Sequence, residues 1–243
     1  MIKANALTTY HLKLMMLVAM VIDHVAWAFV PTESFAGELM HIIGRMVAPM
    51  MAYFLAMGFA KSRDVMHYLG RLFGFAVMSQ PVFMWFQYQI GTVDAISDVM
   101  WGNVLFTLTV SLAVLMVWRQ NMASWAKWLV VIALCFVAEL AEYGAAMILW
   151  ACIFDRLMAH KARMLAVFAL SLPVAYLLIY GVNATVGLGF MHLGWLFVIP
   201  LILLHNGTKG RRLGGRYFFY VFYPVHMAVI AAMVWIYDRW WGF

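Results

Sequence analysis

Nine apolar segments of 15 to 21 residues, separated by short polar stretches, constrain this chain more than any other feature of its sequence. A helix that crosses the hydrocarbon core of a bilayer needs about 20 apolar residues. Only 11% of the residues are Asp, Glu, Lys or Arg, against about 25% in a typical soluble domain, so little polar surface is left to face water. The sequence therefore predicts an all-α, polytopic integral membrane protein, a helical bundle in which residues 1–243 form a single transmembrane domain.

About nine transmembrane helices are predicted, two of them short. Their predicted bounds are Leu12–Val30, Met40–Ala60, Tyr68–Gln87, Gly102–Trp118, Ser124–Ala138, Tyr143–Met158, Met164–Tyr180, Gly187–Leu204 and Tyr217–Tyr237. The fifth and sixth are the short ones, joined by the tight turn Glu139–Glu142, and whether they cross the whole bilayer is left open. The two cysteines lack the spacing of metal ligands, so no metal site is predicted.

Basic residues determine the predicted direction of the chain. Of the 16 Lys and Arg residues, 14 lie in or beside alternate loops, and the intervening loops carry Asp and Glu alone. Because cytoplasmic loops hold this basic excess, the N-terminus is predicted to be cytoplasmic and the C-terminus outside. This pattern explains the net charge of +6 without nucleic acid as a partner. It also predicts contact with membrane lipids, above all at the cluster Lys209–Arg216.

Three ionisable residues, Asp23, His24 and Arg45, lie inside predicted membrane helices. Such a side chain costs several kcal/mol in hydrocarbon unless it is paired or hydrated, so each is a candidate functional residue. The helical rise places His24 about 9 Å, and Arg45 about 7 Å, below the outer ends of their helices. The groups are therefore expected to meet, with Asp23 and Arg45 as an ion pair. A polar clamp between the two helices is the alternative for this pair.

Lys13 and His24 share a second pattern. They are eleven residues apart, which is close to three helical turns, so both point from one face. Lys13 lies at the predicted cytoplasmic mouth and His24 about 16 Å deeper. That arrangement suits a long ligand with phosphates at one end and a reactive group at the other, such as coenzyme A. The alternative for Lys13 is a charge that only orients the first helix.

Six short motifs follow one another along nearly the whole chain. They are Lys13 with Asp23-His24; Gly44-Arg45; Arg71-Leu72 with Ser79-Gln80-Pro81; Gly102-Asn103-Val104-Leu105-Phe106; Tyr143-Gly144; and Phe222-Tyr223-Pro224-Val225-His226. In this order they resemble the F-pilin acetylase (TraX) family of membrane acetyltransferases. The spacing of Lys13 and His24 is also similar to that of the wider acyltransferase-3 group, where the basic residue is more often arginine.

The resemblance implies transfer of an acetyl group from cytoplasmic acetyl-CoA to an acceptor at the membrane or on its outer side, in the bacterial cytoplasmic (inner) membrane. We expect His24 to act as the general base, because an imidazole exchanges protons near neutral pH. Arg45 would either stabilise the oxyanion or hold Asp23 in place. His24, Asp23 and Arg45 are therefore the three predicted catalytic residues. An acetyl-histidine intermediate is the other route.

Further polar residues are candidates for binding. Lys13, Lys61, Arg63 and Arg71 would bind the phosphates of the coenzyme. Asn103 would either bind the acyl group or cap its helix. Glu139, Tyr143 and His192 would line the acceptor side, and the acceptor itself (a protein N-terminus, a glycan or a lipid) is left open. His226 ranks second to His24 as a base and is expected to bond to a carbonyl freed by Pro224.

Two other functions remain as alternatives. A proton-coupled transporter would use Asp23, His24 and Arg45 as a relay. The chain shows no internal repeat of the kind that many transporters have, which counts against this alternative. A membrane adaptor without catalytic activity would leave the buried charges as a structural clamp.

Overall fold

The computed structural model describes residues 7–99, 102–181, 190–210 and 217–241, and their regular structure is helical. The helices are α1 Thr9–Phe29, α2 Phe35–Arg45, α3 Val47–Lys61, α4 Val65–Gln89, α5 Val104–Arg119, α6 Ser124–Ala138, α7 Gly144–Leu157, α8 Lys161–Tyr180, α9 Val198–Leu204 and α10 Phe218–Trp241. Two 3₁₀ segments, Ile96–Asp98 and Phe190–Phe197, complete the set. The predicted all-α fold is confirmed across the described ranges.

Four helical segments are long and apolar enough to cross a membrane: Thr9–Phe29, Phe35–Lys61, Lys161–Tyr180 and Phe218–Trp240. Shorter apolar helices cover Val104–Arg119, Ser124–Ala138 and Phe190–Leu204. Each of the nine predicted segments coincides with one or more described helices. Residues 187–189, at the start of the eighth segment, and the basic residues Arg211, Arg212 and Arg216 lie outside the described residues. The chain is thus a helical membrane protein, and the count of nine spans stays a prediction.

The second predicted helix begins earlier than the sequence indicated. Hydropathy placed its start at Met40, whereas α2 begins at Phe35. The hydroxyl of Ser34 accepts a hydrogen bond from the backbone N–H of Gly37 and caps this end. Glu38 adds a negative charge in the first turn, where the helix dipole is positive. The helix therefore begins more than one turn before the predicted start, and each residue after it lies correspondingly farther from the N-terminal end of the helix.

The first of two compact units contains Met1–Val47, Val82–Val99 and Leu188–Phe243. Within it, α1 packs against α2 and α10, and the 3₁₀ segment Phe190–Phe197 packs against α2. The loop after α9 closes over the start of α1, where the backbone N–H groups of Leu7 and Thr9 donate to the carbonyls of Leu204 and Thr208. These bonds fix where the first helix begins.

The second unit contains Ala48–Pro81 and Met100–Gly187. In it, α7 packs against α5, α6 and α8. Trp150, Phe154 and Phe168 are fully buried, and the rings of Phe154 and Phe168 stack with their centroids 5.3 Å apart. Large aromatic side chains therefore form the centre of this unit.

Candidate functional site

Helix α1 presents polar side chains on two faces. Asp23 and His24 are consecutive, so their side chains diverge by about 100° around the helix axis. Asp23 contacts a residue of α2, and His24 contacts a residue of α10. The first unit therefore has two histidine sites around one helix, here called the α2 site and the α10 site.

The α2 site is centred on a hydrogen bond between Asp23 and His41. Nδ1 of His41 donates to Oδ1 of Asp23 at 2.9 Å, and the histidine is fully buried. The His41 ring lies 4.4 Å from the ring of Trp27, centroid to centroid. A Cβ at Gly44 would collide with the Asp23 side chain, so only glycine lets the carboxylate approach α2 at this point. This close approach gives a physical reason for the Gly44-Arg45 motif.

Asp23 has a different partner from the Arg45 that the sequence predicted. Its hydrogen-bond partner is His41. The Arg45 guanidinium lies 5.8 Å from the centre of the Trp27 ring, and its Nη2 lies 3.5 Å from Sδ of Met191. Asp23 lies six residues before the end of α1, and His41 lies six residues after the start of α2. Residues at equal depth on α1 and α2 do meet, as the prediction assumed. The predicted start of the second helix was wrong by five residues, so the prediction chose Arg45 instead of His41.

The α10 site is centred on His24. Its Nδ1 lies 2.7 Å from the carbonyl oxygen of Met20, and because a carbonyl only accepts, Nδ1 must carry the proton. A neutral imidazole has a single N–H, so Nε2 holds the lone pair. The His24 ring lies edge-on to Phe86 at 5.1 Å and to His226 at 4.8 Å, between centroids. The local structure therefore prepares His24 to accept a proton at Nε2.

His226 has the same orientation on α10. Its Nδ1 donates to the carbonyl of Phe222 at 2.9 Å, and its ring stacks on that of Phe222. The carbonyl that Pro224 leaves without an N–H donor is that of Tyr220, four residues earlier, so the expected role beside the proline is wrong. His226 is buried, and no hydrogen-bond partner for its Nε2 lies among the described residues.

Lys13 lies on the same side of α1 as His24. Its Nζ lies 5.0 Å from the centre of the Phe219 ring. Phe219 lies on α10, two helical turns before His226. The contacts follow the same direction along both helices: Lys13 contacts Phe219, and farther along each helix His24 contacts His226. Helices α1 and α10 are therefore parallel neighbours, and one seam between them carries the lysine and both histidines.

His192 belongs to the first unit. It is buried on the 3₁₀ segment, where its ring lies 5.0 Å from that of Trp195. This segment approaches α2 closely, because a Cβ at Gly194 would collide with the carbonyl oxygen of Ile42. His192 is thus fixed by packing, and its proposed contact with an acceptor stays a prediction.

Asn103 belongs to the second unit and caps α5. Its Oδ1 accepts from the backbone N–H of Leu105, while its Nδ2 donates to the carbonyl of Ala76 and to Oε1 of Gln80. The side chain is fully buried. Of the two predicted roles, the helix cap is confirmed.

The turn between α6 and α7 in the second unit is also a capping structure. Glu142 accepts from the backbone N–H of Val104 at 2.8 Å, and Glu139 accepts from that of Ala145 at 2.9 Å. Tyr143 has a φ of 65°, in the left-handed region, just before α7 begins. Both carboxylates lie at helix N-termini, where the dipole favours negative charge. The tight turn Glu139–Glu142 thus stabilises two helix starts.

The other predicted phosphate-binding residues also belong to the second unit. The Arg71 guanidinium lies 5.4 Å from the centre of the Tyr68 ring, Lys61 ends α3, and Arg63 is exposed in the next loop. Their role in binding a coenzyme stays a prediction. Among the described residues, no group of three or more His, Cys, Asp and Glu side chains is arranged to hold a metal ion.

The fold and the site define a class: a helical membrane protein with titratable side chains clustered around its first helix. The profile of the family described as TraX protein matches residues 9–234. The chain is also 34% identical over 237 residues to the probable fimbrial assembly protein FimC, serogroup H1, of Dichelobacter nodosus. The aligned region covers 93% of this chain and 95% of that protein. No solved structure matches. The chain therefore belongs to the TraX family, which confirms the resemblance of its motifs.

Proposed function

We propose that this protein is a membrane-embedded acetyltransferase that moves an acetyl group from cytoplasmic acetyl-CoA to an acceptor amine or hydroxyl. In this proposal the chain crosses the bacterial inner membrane about nine times, with its N-terminus in the cytoplasm. The parallel directions of α1 and α10 support an odd number of crossings between them. Membership of the TraX family supports the reaction class.

The observation that carries this proposal is the orientation of His24. Its Nδ1 proton is held by the carbonyl of Met20, and Nε2 is left as the basic atom. A general base needs its lone pair directed at the proton it removes, at a pH near its own titration range. A backbone bond that fixes the tautomer meets the first of these needs before any substrate binds.

In this proposal the coenzyme binds along the seam between α1 and α10. Lys13 would bind a phosphate at the cytoplasmic mouth, and His24 lies about 16 Å along the same face. Between these levels α10 presents Phe219 and Phe222, whose rings offer an apolar surface for the thin pantetheine arm. The thioester would then reach the level of the two histidines.

Each acetyl transfer moves one proton in net from the acceptor to the coenzyme sulfur. His24 would take this proton while the nitrogen or oxygen of the acceptor attacks the acetyl carbon. The carbon–sulfur bond then breaks, the proton taken by His24 ends on the departing sulfur, and the coenzyme leaves as a thiol. Arg45 would stabilise the negative oxygen of the tetrahedral intermediate as a fixed positive charge in an apolar site. Asp23, paired with His41, would compensate the charge that His24 gains.

The acceptor is proposed from the relative. The Dichelobacter nodosus protein is named as a probable fimbrial assembly protein. A fimbrial subunit, acetylated on an amine or hydroxyl at the membrane, is therefore the acceptor that we would test first, before a glycan or a lipid.

The test uses purified protein in nanodiscs with isotope-labelled acetyl-CoA. We expect saturable binding, and release of free coenzyme thiol that accelerates when a fimbrial subunit is added. The labelled acetyl group should appear on that subunit. Absence of both binding and thiol release at high micromolar acetyl-CoA would rule out the proposal.

A proton-coupled transporter is the second candidate. Two histidine sites around one helix, one reached from Asp23 and the other from its sequence neighbour His24, could form a proton relay. Sealed vesicles distinguish the two functions, because a transporter would move protons or a solute across the membrane without consuming the thioester. Thiol release without any flux supports the acetyltransferase.

A further inference from the structure

His226 is a buried histidine whose packing alone does not account for its geometry. It is 6% exposed, and its Nδ1 is bonded to Phe222. Nε2 has no partner among the described residues. A buried polar atom without a partner is costly and calls for an explanation, such as a catalytic role or a bound water or ion. The atom lies on the ring that contacts His24.

The neighbours of His226 place it at the proposed reaction centre. Phe219, Phe222 and His226 lie three and four residues apart, so they form one stripe along α10. Lys13 contacts the first of these residues and His24 the last. A coenzyme arm that begins at Lys13 and follows this stripe brings its sulfur to His226.

We propose that His226 is a second catalytic residue, the general acid that protonates the sulfur of the departing coenzyme. This inference rests on the proposed acetyltransferase function and names the group that completes it. The acceptor's proton moves to Nε2 of His24 as the acceptor attacks the acetyl carbon. It then passes to Nε2 of His226, whose ring is in contact. His226 gives it to the sulfur as the carbon–sulfur bond breaks.

The proton balance closes within the pair. Both histidines are neutral before and after the reaction, with Nδ1 protonated and held by a backbone carbonyl in each case. One acceptor proton becomes the proton of the coenzyme thiol. No net charge stays in the membrane, which is favourable because an unpaired charge there is expensive.

The variant that tests this role is His226→Asn. The asparagine amide can donate to the Phe222 carbonyl as Nδ1 does, but it has no atom equivalent to Nε2. His205→Asn is the matched control, because His205 is another buried histidine of the same unit and contacts the Thr9 hydroxyl. Coenzyme A binding to each variant reports whether the seam is intact.

The readout is sensitivity to the leaving group. Each protein is assayed with acetyl-CoA and with the analogue in which oxygen replaces the thioester sulfur. The alkoxide leaving group is far more basic than the thiolate, so its departure depends more on a general acid. We expect His226→Asn to lower turnover of acetyl-CoA about 100-fold and to lower turnover of the oxygen analogue at least about tenfold further. Coenzyme binding should stay unchanged.

The remaining outcomes separate the two proposals. If the wild type releases coenzyme but His226→Asn loses the same factor with both esters, as a packing defect in His205→Asn would, the general-acid role is wrong and the acetyltransferase stands. Wild-type turnover in His226→Asn has the same meaning. If the wild type turns over neither ester, the acetyltransferase itself is wrong, and the role of His226 with it.

Discussion

The two units use their polar side chains in different ways. In the second unit, Asn103, Glu139 and Glu142 all accept hydrogen bonds from backbone N–H groups at helix starts. In the first unit, His24 and His226 each donate a hydrogen bond from Nδ1 to a backbone carbonyl, so Nε2 takes no part in the hydrogen bonds of the helix. Polar groups consumed by helix ends stabilise a fold, whereas an imidazole anchored at one nitrogen keeps the other for chemistry. The first unit is therefore where we place the reaction.

The largest expected effect tests that assignment at His24. His24→Asn keeps an N–H donor for the Met20 carbonyl and removes Nε2, so it leaves the fold intact and deletes the base. We expect turnover to fall about 1,000-fold, which is about 4 kcal/mol on the barrier. Coenzyme thiol release in nanodiscs measures the effect. A variant that works at the wild-type rate would show that the α10 site is structural, like the caps of the second unit.

The next effect concerns stability at the α2 site. His41→Leu leaves the half-buried Asp23 carboxylate without the hydrogen bond from His41, and we expect this to cost about 2 kcal/mol. His41→Asn keeps an N–H donor for the carboxylate and should recover most of that loss. Equilibrium unfolding in detergent micelles compares the two variants. Equal stability of His41→Leu and the wild type would mean that Asp23 does not depend on His41.

The hairpin of α1 and α2 shows what the sequence could and could not provide. Hydropathy located all nine apolar segments, and the bounds of α6 are those predicted. Depth matching then required the outer end of α2, which the Ser34 cap places five residues before the apolar run begins. Hydropathy does not detect a polar first turn, so the predicted helix began too late. Arg45 was therefore predicted to pair with Asp23, and His41 was missed. The S-x-x-x-E pattern of Ser34 and Glu38 was the signal that could have corrected the register.

The α10 site was predictable only in part. The spacing of Lys13 and His24 predicted their common face, since one helix fixes that relation. The contact of His24 with His226 joins residues about 200 positions apart in sequence, and no periodicity within one helix reports which other helix lies beside it. In the second unit, Asn103 was correctly assigned a possible cap because it is the second residue of the predicted helix Gly102–Trp118, and asparagine is favoured at a helix start.

A comparable effect is expected when the capping network of the second unit is broken. Asn103→Ala removes the N-cap of α5 and leaves the Ala76 carbonyl and Gln80 without this donor. We expect a loss of about 2 kcal/mol in the free energy of unfolding, with turnover per folded molecule unchanged. Asn121→Ala, in an exposed loop, should change stability by less than about 0.5 kcal/mol. A fall in turnover at constant stability would instead return Asn103 to the reaction site.

The smallest effect tests the coenzyme end of the seam. Lys13→Met keeps an apolar side chain against Phe219 and removes the charge, so the fold should be unaffected. A partly exposed charge contributes up to about 1 kcal/mol, which corresponds to about fivefold weaker binding of coenzyme A. Lys127→Met is the matched control, since Lys127 is predicted on the same membrane side but belongs to the second unit. Binding of labelled coenzyme A to both variants decides between a specific site and a general surface charge.

If the two variants weaken binding equally, the lysine of the seam acts only through the positive potential of the cytoplasmic face. If Lys13→Met alone weakens it, the phosphate end of the ligand lies where α1 and α10 begin.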